Sequence, residues 1–285
     1  MRQFIIDKQK IKNNLILLNG KDYKYLRSVL RVKVGDMINV RLPNGVLENA
    51  TVAKINDKES IITLQLCAQT VNTNGTITRG VQADEIEKGQ NNEERIEYYL
   101  FQFLPKPQKF ELIVRQATEC GISYIVPVIG EYTEKSSVMS LNGNKKERIE
   151  RIVREARQQS GSPIDTKVLE PMKIEDAIKI WNEGFLDNEE NPINEIEESQ
   201  RLAFVLSERD DCSDNLRNVV TDSKAKDKKI KRVGIACGSE GGLSPEEVSY
   251  LQEKGLFYPI HFAVNILRCE TASLYGIASV QSFIN

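Results

Sequence analysis

From residue 96 onward, short apolar runs alternate with amphipathic helical stretches, and this alternation constrains the fold more than any other feature. "IEYYLFQFL", "SYIVPVIG", "RLAFVLSER", "RVGIACG" and "LFYPIHF" read as strands, rich in β-branched and aromatic residues. Between them lie "QKFELIVRQATECG", closed by Gly121, and "KKERIERIVREARQQSG", whose Ile149, Ile152, Val153 and Ala156 share one face. "ETASLYGIASVQSF" closes the chain as a helix, and "DDCSDNLRNVVTDSKAKDKKIK" reads as a polar connection. Strands joined through helices pair in parallel. The expectation for 96–285 is therefore an α/β domain with a mostly parallel sheet and ligands at the carboxyl ends of its strands.

One such end carries a strong local signal. "GIACGSEGGLSPEEVSYL" (234–251) passes from a strand through a glycine loop into a helix start. Ser244 suits the N-cap, Pro245 the first helical position, and Glu247 completes a capping box. Unblocked N–H groups at such a start attract anions. The loop has neither Walker nor GxGxxG spacing, however, and Glu240 inside it opposes a phosphate. A carboxylate suits ribose hydroxyls, an amino group or a cation. S-adenosyl-L-methionine has no phosphate and carries a sulfonium and a free amino group, so it would account for Glu240, if the turn is not simply structural.

Residues 1–70 form a different region, expected to be a small β-rich domain. "NNLILLNG", "DMINVRLPNGVLENATVAKI" and "SIITLQL" are strand-like with Asn-Gly punctuation, and "KDYKYLRSVLRVKVGD" between them is helical. Residues 71–95 lack a sustained period and read as a linker or insertion. Net charge is only −2, but residues 1–60 hold twelve Lys/Arg against six Asp/Glu, a local +6. A basic patch is the footprint of a polyanion partner. The seven acidic residues of 182–200 read as a solvated surface loop, with Trp181 before them as a core anchor.

Composition removes several classes of function. No apolar run approaches the ~20 residues that span a bilayer, and "MRQFIIDKQK" lacks the apolar stretch expected of a signal peptide. Five scattered cysteines without a CxxC, and the single His261, exclude zinc-site and His-rich metal chemistry and fit a reducing cytoplasm. His261 reads as a packed or turn residue. Two further stretches carry candidate chemistry. In "AVNILRCETASLYG", Arg268 and Glu270 flank a helix start; they either complement the helix dipole and each other or serve a site. Ala272, Ser273 and Gly276 leave room for close approach of another helix. In "PKPQKFELIVRQATECG", Glu111 and Arg115 make an i,i+4 pair, and Lys109 sits against the dipole at a helix head, which hints at use.

Taken in order, "YLRSVLRVKVGD", "KFELIVRQATECGI", "EARQQSG", "CGSEGGLSPEE" and "NILRCETA" resemble the successive signatures of the bacterial 16S ribosomal RNA uracil-N3 methyltransferase family, within the SPOUT superfamily. The resemblance spans nearly the whole chain outside 72–95, 183–200 and 210–230. It implies an N-terminal PUA-like RNA-binding barrel, a C-terminal SPOUT domain with a deep trefoil knot, and a cytoplasmic homodimer acting on the small ribosomal subunit without a metal. It also implies S-adenosyl-L-methionine held by Leu206–Ser207–Glu208, by Gly238, Ser239, Glu240, Gly241 and Gly242, and by Val264, Ile266, Leu267 and Arg268. Arg268 is expected to stabilise the uracil oxyanion, Glu270 to orient Arg268, and Glu240 to lie against the cofactor loop; Glu240 and Glu270 are both candidate proton acceptors. Lys21, Lys24, Arg27, Arg31, Lys109, Arg148, Arg151, Arg154 and Arg157 are candidate phosphate contacts. Four positions depart from the family pattern: Ser239 replaces a proline, Asn265 an arginine, Ser162 an arginine and Tyr25 a histidine. These losses leave open a ribosome-binding or assembly protein with weakened catalysis, or a nucleotide-binding enzyme with no RNA partner.

Overall fold

The computed structural model describes residues 3–7, 10–12, 14–67, 69–71, 77–79, 95–139, 141, 145–184, 197–207, 216–225 and 230–284. Two compact units emerge: Met1–Glu93 with Arg157–Pro163, and Glu94–Ala156 with Ile164–Asn285.

The first unit is built on β1 (Phe4–Ile5), β2 (Ile11–Lys12), β3 (Leu15–Leu18), β4 (Met37–Arg41), β5 (Leu47–Asn56) and β6 (Ile61–Leu66). They form one sheet in the order β1-β4-β5-β6-β3-β2, antiparallel except for β1 on β4. A separate short hairpin pairs β7 (Gln69–Val71) with β8 (Ile77–Arg79). Alternation places Ile16 and Leu18 inside and leaves Leu15 and Leu17 outside. A register shift between Val52 and Lys54 bends β5, as a bulge does. Helix α1 (Gly20–Lys24) continues as a π-helical turn over Tyr25–Leu30 and buries Leu26. The helix expected over 21–36 ends there because Arg31 takes a left-handed conformation (φ 55°) and Val32 turns into the core. A buried polar frame joins 157–163 to this unit. Gln3 Nε2 donates to the carbonyls of Arg157 (2.9 Å) and Ser162 (3.1 Å), and Arg41 donates to Gln3 Oε1 (2.9 Å) and the Gly161 carbonyl (3.2 Å).

The second unit follows the strand–helix alternation: β9 (Glu97–Phe103), α2 (Pro107–Glu119), β10 (Tyr124–Ile129), α3 (Lys135–Met139), α4 (Lys145–Ser160), β11 (Lys167–Val168), β12 (Met172–Lys173), α5 (Ile174–Glu183), β13 (Arg201–Leu206), α6 (Leu216–Ala225), β14 (Arg232–Cys237), α7 (Pro245–Gly255), β15 (Phe257–Ile260) and α8 (Cys269–Ile284). The strands make one parallel sheet in the order β11-β10-β9-β14-β13-β15, with β12 also on β10. Hydrophobic layers cover both faces. Tyr99, Phe101 and Phe103 of β9 pack with Trp181 and Leu251, while Leu100 on the opposite face packs with Phe110, Ile113 and Val280. Trp181 is the expected anchor; its indole donates to the Gly255 carbonyl at 3.0 Å. The stretch read as a polar connection contains α6, whose Leu216, Val219 and Val220 are buried on one side. The acidic segment 185–196 and the linker residues 80–94 lie outside the described residues.

Candidate functional site

Because β14, β13 and β15 are neighbours in the sheet, the segments leaving their carboxyl ends emerge side by side. These are Gly238–Gly242, Leu206–Ser207 and the 261–268 segment before α8; Glu208 lies outside the described residues. Ser207 N–H donates to the Ile260 carbonyl (2.9 Å), extending the β13–β15 pairing, and His261 Nδ1 lies 3.3 Å from the Ser207 carbonyl. His261 is partly buried in this segment. The backbone N–H groups of 265–267 make no hydrogen bond among the described residues, and Val264 and Ile266 beside them are 44% and 84% exposed. Exposed apolar side chains next to unengaged amides suit a flat heteroaromatic ring with a polar edge.

The glycine loop is sterically fixed. A Cβ on Gly238 would come within 2.6–2.8 Å of Gly242 backbone atoms, and one on Gly241 within 2.8 Å of Tyr132. Gly242 has φ 77° and donates its N–H to the Ser239 carbonyl at 3.1 Å. The expected capping box is formed: Ser244 Oγ accepts from Glu247 N–H (3.2 Å) and Glu247 Oε2 from Ser244 N–H (2.8 Å).

Glu240 does not face an open ligand position alone. Its carboxylate accepts from the Lys106 N–H (3.2 and 3.3 Å) at the start of α2, and Lys109 Nζ lies 3.4 Å from it. The same ammonium is 3.5 Å from Glu270 Oε2 at the start of α8. Lys109 thus joins two carboxylates from different elements, which accounts for a cation placed against the α2 dipole. Burial works to lower its pKa, but Cys269, Glu240 and Glu270 together raise it. Burial works to raise the Glu270 carboxyl; the Glu270 N–H, the Cys269 thiol (3.2 Å) and Lys109 outweigh it and hold the carboxyl below the usual range. The expectation that Glu270 orients Arg268 is therefore corrected. Glu270 is engaged by Lys109 and Cys269, whereas Arg268 is exposed and makes no ion pair among the described residues. The small residues of α8 also receive the chain's own sheet: a Cβ on Gly276 would overlap the Leu206 side chain, and Ser273 is buried.

Sequence reasoning missed Gln102, the amide in the run "YYLFQF" and fully buried at 0% exposure. Its Nε2 lies within hydrogen-bond distance of the carbonyls of Phe103 (3.0 Å), Gly238 (3.0 Å) and, more distantly, Cys237 (3.4 Å), and its Oε1 accepts from Ser273 Oγ at 2.6 Å. Ser273 Oγ also lies 2.8 Å from the Cys269 carbonyl. A buried amide stripped of such partners costs about 1–3 kcal/mol for each group left unmade, so the orientation is strongly held. The available signal was an amide among apolar residues at the end of a buried strand.

The basic candidates divide into distinct groups. Lys21, Lys24 and Arg31 are exposed. Arg27 is committed to Asp57 by two 3.0 Å contacts, and hydrogen bonds from Tyr23 and Arg27 lower the Asp57 pKa. Arg148 pairs with Glu111 at 2.6 Å, so Glu111 is taken across elements and not by Arg115. Arg151 lies 3.8 Å from Glu155, and Arg154 is half-buried. Arg157 is 8% exposed, which corrects its reading as a surface phosphate contact. Cys67, Cys120, Cys237 and Cys269 are unpaired, and the described residues contain no cluster suited to a metal ion or helix suited to crossing a membrane.

A parallel sheet flanked by helices defines an α/β protein, a class whose ligands bind at the carboxyl ends of the strands. Comparison with known proteins refines this. The model of the RNA methyltransferase domain matches residues 92–281, and that of the RNA methyltransferase PUA domain matches 18–65. The chain belongs to the RNA methyltransferase domain family, in agreement with the resemblance carried by its five motifs. It is 26% identical over 285 residues to "Ribosomal RNA small subunit methyltransferase E 2" of Borreliella burgdorferi, covering 100% of this chain and 98% of that protein. It is 26% identical over 288 residues to "Ribosomal RNA small subunit methyltransferase E" of Rickettsia conorii, covering 98% and 94%. Among solved structures, a ribosomal RNA small subunit methyltransferase E from Neisseria gonorrhoeae, bound to S-adenosyl methionine, superposes with a TM-score of 0.68 at 20% identity, covering 99% and 97%.

Proposed function

We propose that this RNA methyltransferase transfers a methyl group from S-adenosyl-L-methionine to N3 of a uracil in 16S ribosomal RNA of the small subunit, as a homodimer with the knotted topology its resemblance implies. The observation that carries the reading is the family match across both units, together with full-length relatives named for the small subunit. The cofactor would supply an electrophilic methyl on a sulfonium centre. The chain's own residues fit such a ligand: unengaged amides at 265–267 with Val264 and Ile266 for the adenine, and Leu206–Ser207 and the Gly238–Gly242 turn for the remainder.

The uracil imide must lose its N3 proton and meet the methyl group in line, so positioning contributes much of the rate. Arg268 is exposed beside the proposed cofactor loops and pairs with no carboxylate among the described residues, so its guanidinium is available to a uracil carbonyl oxygen as negative charge develops. Glu240 acts by holding the glycine loop to the head of α2, and Glu270 by fixing Lys109 next to the reacting groups. The test is incorporation of tritiated methyl from S-adenosyl-L-methionine into small subunits that lack the modification, followed by mapping of the labelled nucleotide. A single N3-methylated uracil in 16S RNA is expected. Label on another atom or another RNA overturns the assignment.

A further inference from the structure

The register of the sheet puts Gln102 opposite Cys237, the last residue of β14. One residue further on, the ladder stops and the glycine loop begins. The Gln102 side chain continues the pairing past that point, because its Nε2 takes the Gly238 carbonyl after the Cys237 carbonyl. The other end of the same amide takes the hydroxyl of Ser273, one turn into α8, whose start follows the 261–268 segment. One buried side chain thus ties the exit of β14 to the head of α8. The amide cannot flip without turning its oxygen onto the carbonyls of Phe103, Cys237 and Gly238, so the link has a single orientation.

We infer that Gln102 and Ser273 are positioning residues that set the glycine loop against the head of α8 for cofactor binding. The inference rests on the reading of Gly238–Gly242 as a cofactor loop. Ser273 acts through Gln102: its hydroxyl fixes the rotamer from which Nε2 reaches Gly238. Two residues in one hydrogen-bond chain lose their effects together, not additively.

The experiment compares Ser273→Ala, Gln102→Met and the double variant of the full chain. S-adenosyl-L-methionine affinity is read by calorimetry, and kcat and the two KM values by methyl transfer. Ser273→Ala changes little volume, and Gln102→Met keeps the side-chain length; should Gln102→Met not fold, Ser273→Ala decides alone. Cofactor affinity is expected to fall about fivefold or more in Ser273→Ala, the equivalent of about one net hydrogen bond. It should fall further in Gln102→Met and no further in the double variant, with the KM for RNA unchanged. Folded single variants that keep wild-type cofactor affinity, or additive losses in the double variant, overturn the inference. Gly238→Ala separates this from the underlying reading, since its Cβ would meet the Gly242 backbone. If Gly238→Ala loses the cofactor while Ser273→Ala and Gln102→Met keep it, the loop reading stands and the strut falls. If folded Gly238→Ala binds normally, both fall.

Discussion

At the scale of single residues, the site is a set of charges whose partners decide their roles. Arg268 is unpaired among the described residues, so replacing it removes a donor without stranding a buried carboxylate. Arg268→Ala and Arg268→Lys are both expected to keep cofactor binding and lose methyl transfer by roughly two orders of magnitude, since lysine lacks the planar fork. Near-normal turnover of Arg268→Ala in the tritium assay would remove it from the mechanism. Glu270 behaves oppositely, being 15% exposed and tied to Lys109. Its pKa is lower in the folded chain than in the unfolded one, so its stabilising effect is complete above the ordinary carboxylate range and is lost as pH falls through the depressed value. Thermal unfolding of the wild type and Glu270→Gln should therefore differ at neutral pH and converge in acid. A gap that is constant with pH would show that the ion pair contributes nothing.

At the scale of elements, the small residues of α8 admit the end of β13. Gly276→Ala would drive a Cβ into Leu206, the end of β13, and only the flexible tip of that leucine can yield. The expected cost is about 1–3 kcal/mol, as for overpacking, with weaker cofactor binding because Leu206 belongs to one of the proposed cofactor segments. Thermal unfolding and calorimetry on one preparation measure both, and a variant matching the wild type in both would contradict the packing. Much at this scale is legible in the sequence. The strands, α2, α7 and the capping box follow from periodicity and cap chemistry, which act within a few residues. Helix α6 is obscured because its apolar face is only Leu216, Val219 and Val220 within a charged stretch. The pairings of Lys109 with Glu240 and Glu270, and of Glu111 with Arg148, are not legible, because each joins residues from separate elements. Glu240 illustrates the limit: its chemistry suggests a ligand contact, and its tie to the head of α2 is visible only in the structure.

At the scale of the whole molecule, the positive charge of residues 1–60 is the feature most relevant to RNA, and its local excess of +6 contrasts with a chain total of −2. Not all of that charge is available. Arg27 is held by Asp57 and Arg41 is buried among carbonyls, so neither is free to meet a phosphate without giving up existing bonds. Lys21, Lys24 and Arg31 remain exposed on the helix and the turn that ends it, and Arg31 adopts its left-handed conformation where the chain reverses. Removing these three together should weaken RNA binding across sequences and reduce the slope of log affinity against log salt by up to about 2–3, at roughly 0.7–0.9 for each phosphate no longer neutralised. Cofactor affinity should not change. Arg27→Ala should behave differently: it leaves Asp57 without its guanidinium partner, so its main effect is a small loss of stability, and the salt slope should hardly move. Filter binding to 16S RNA over a range of salt concentrations, with thermal unfolding of each variant, distinguishes these outcomes. An unchanged slope in the triple variant would make this face ordinary solvated surface. A large drop in slope for Arg27→Ala alone would mean that RNA displaces Asp57.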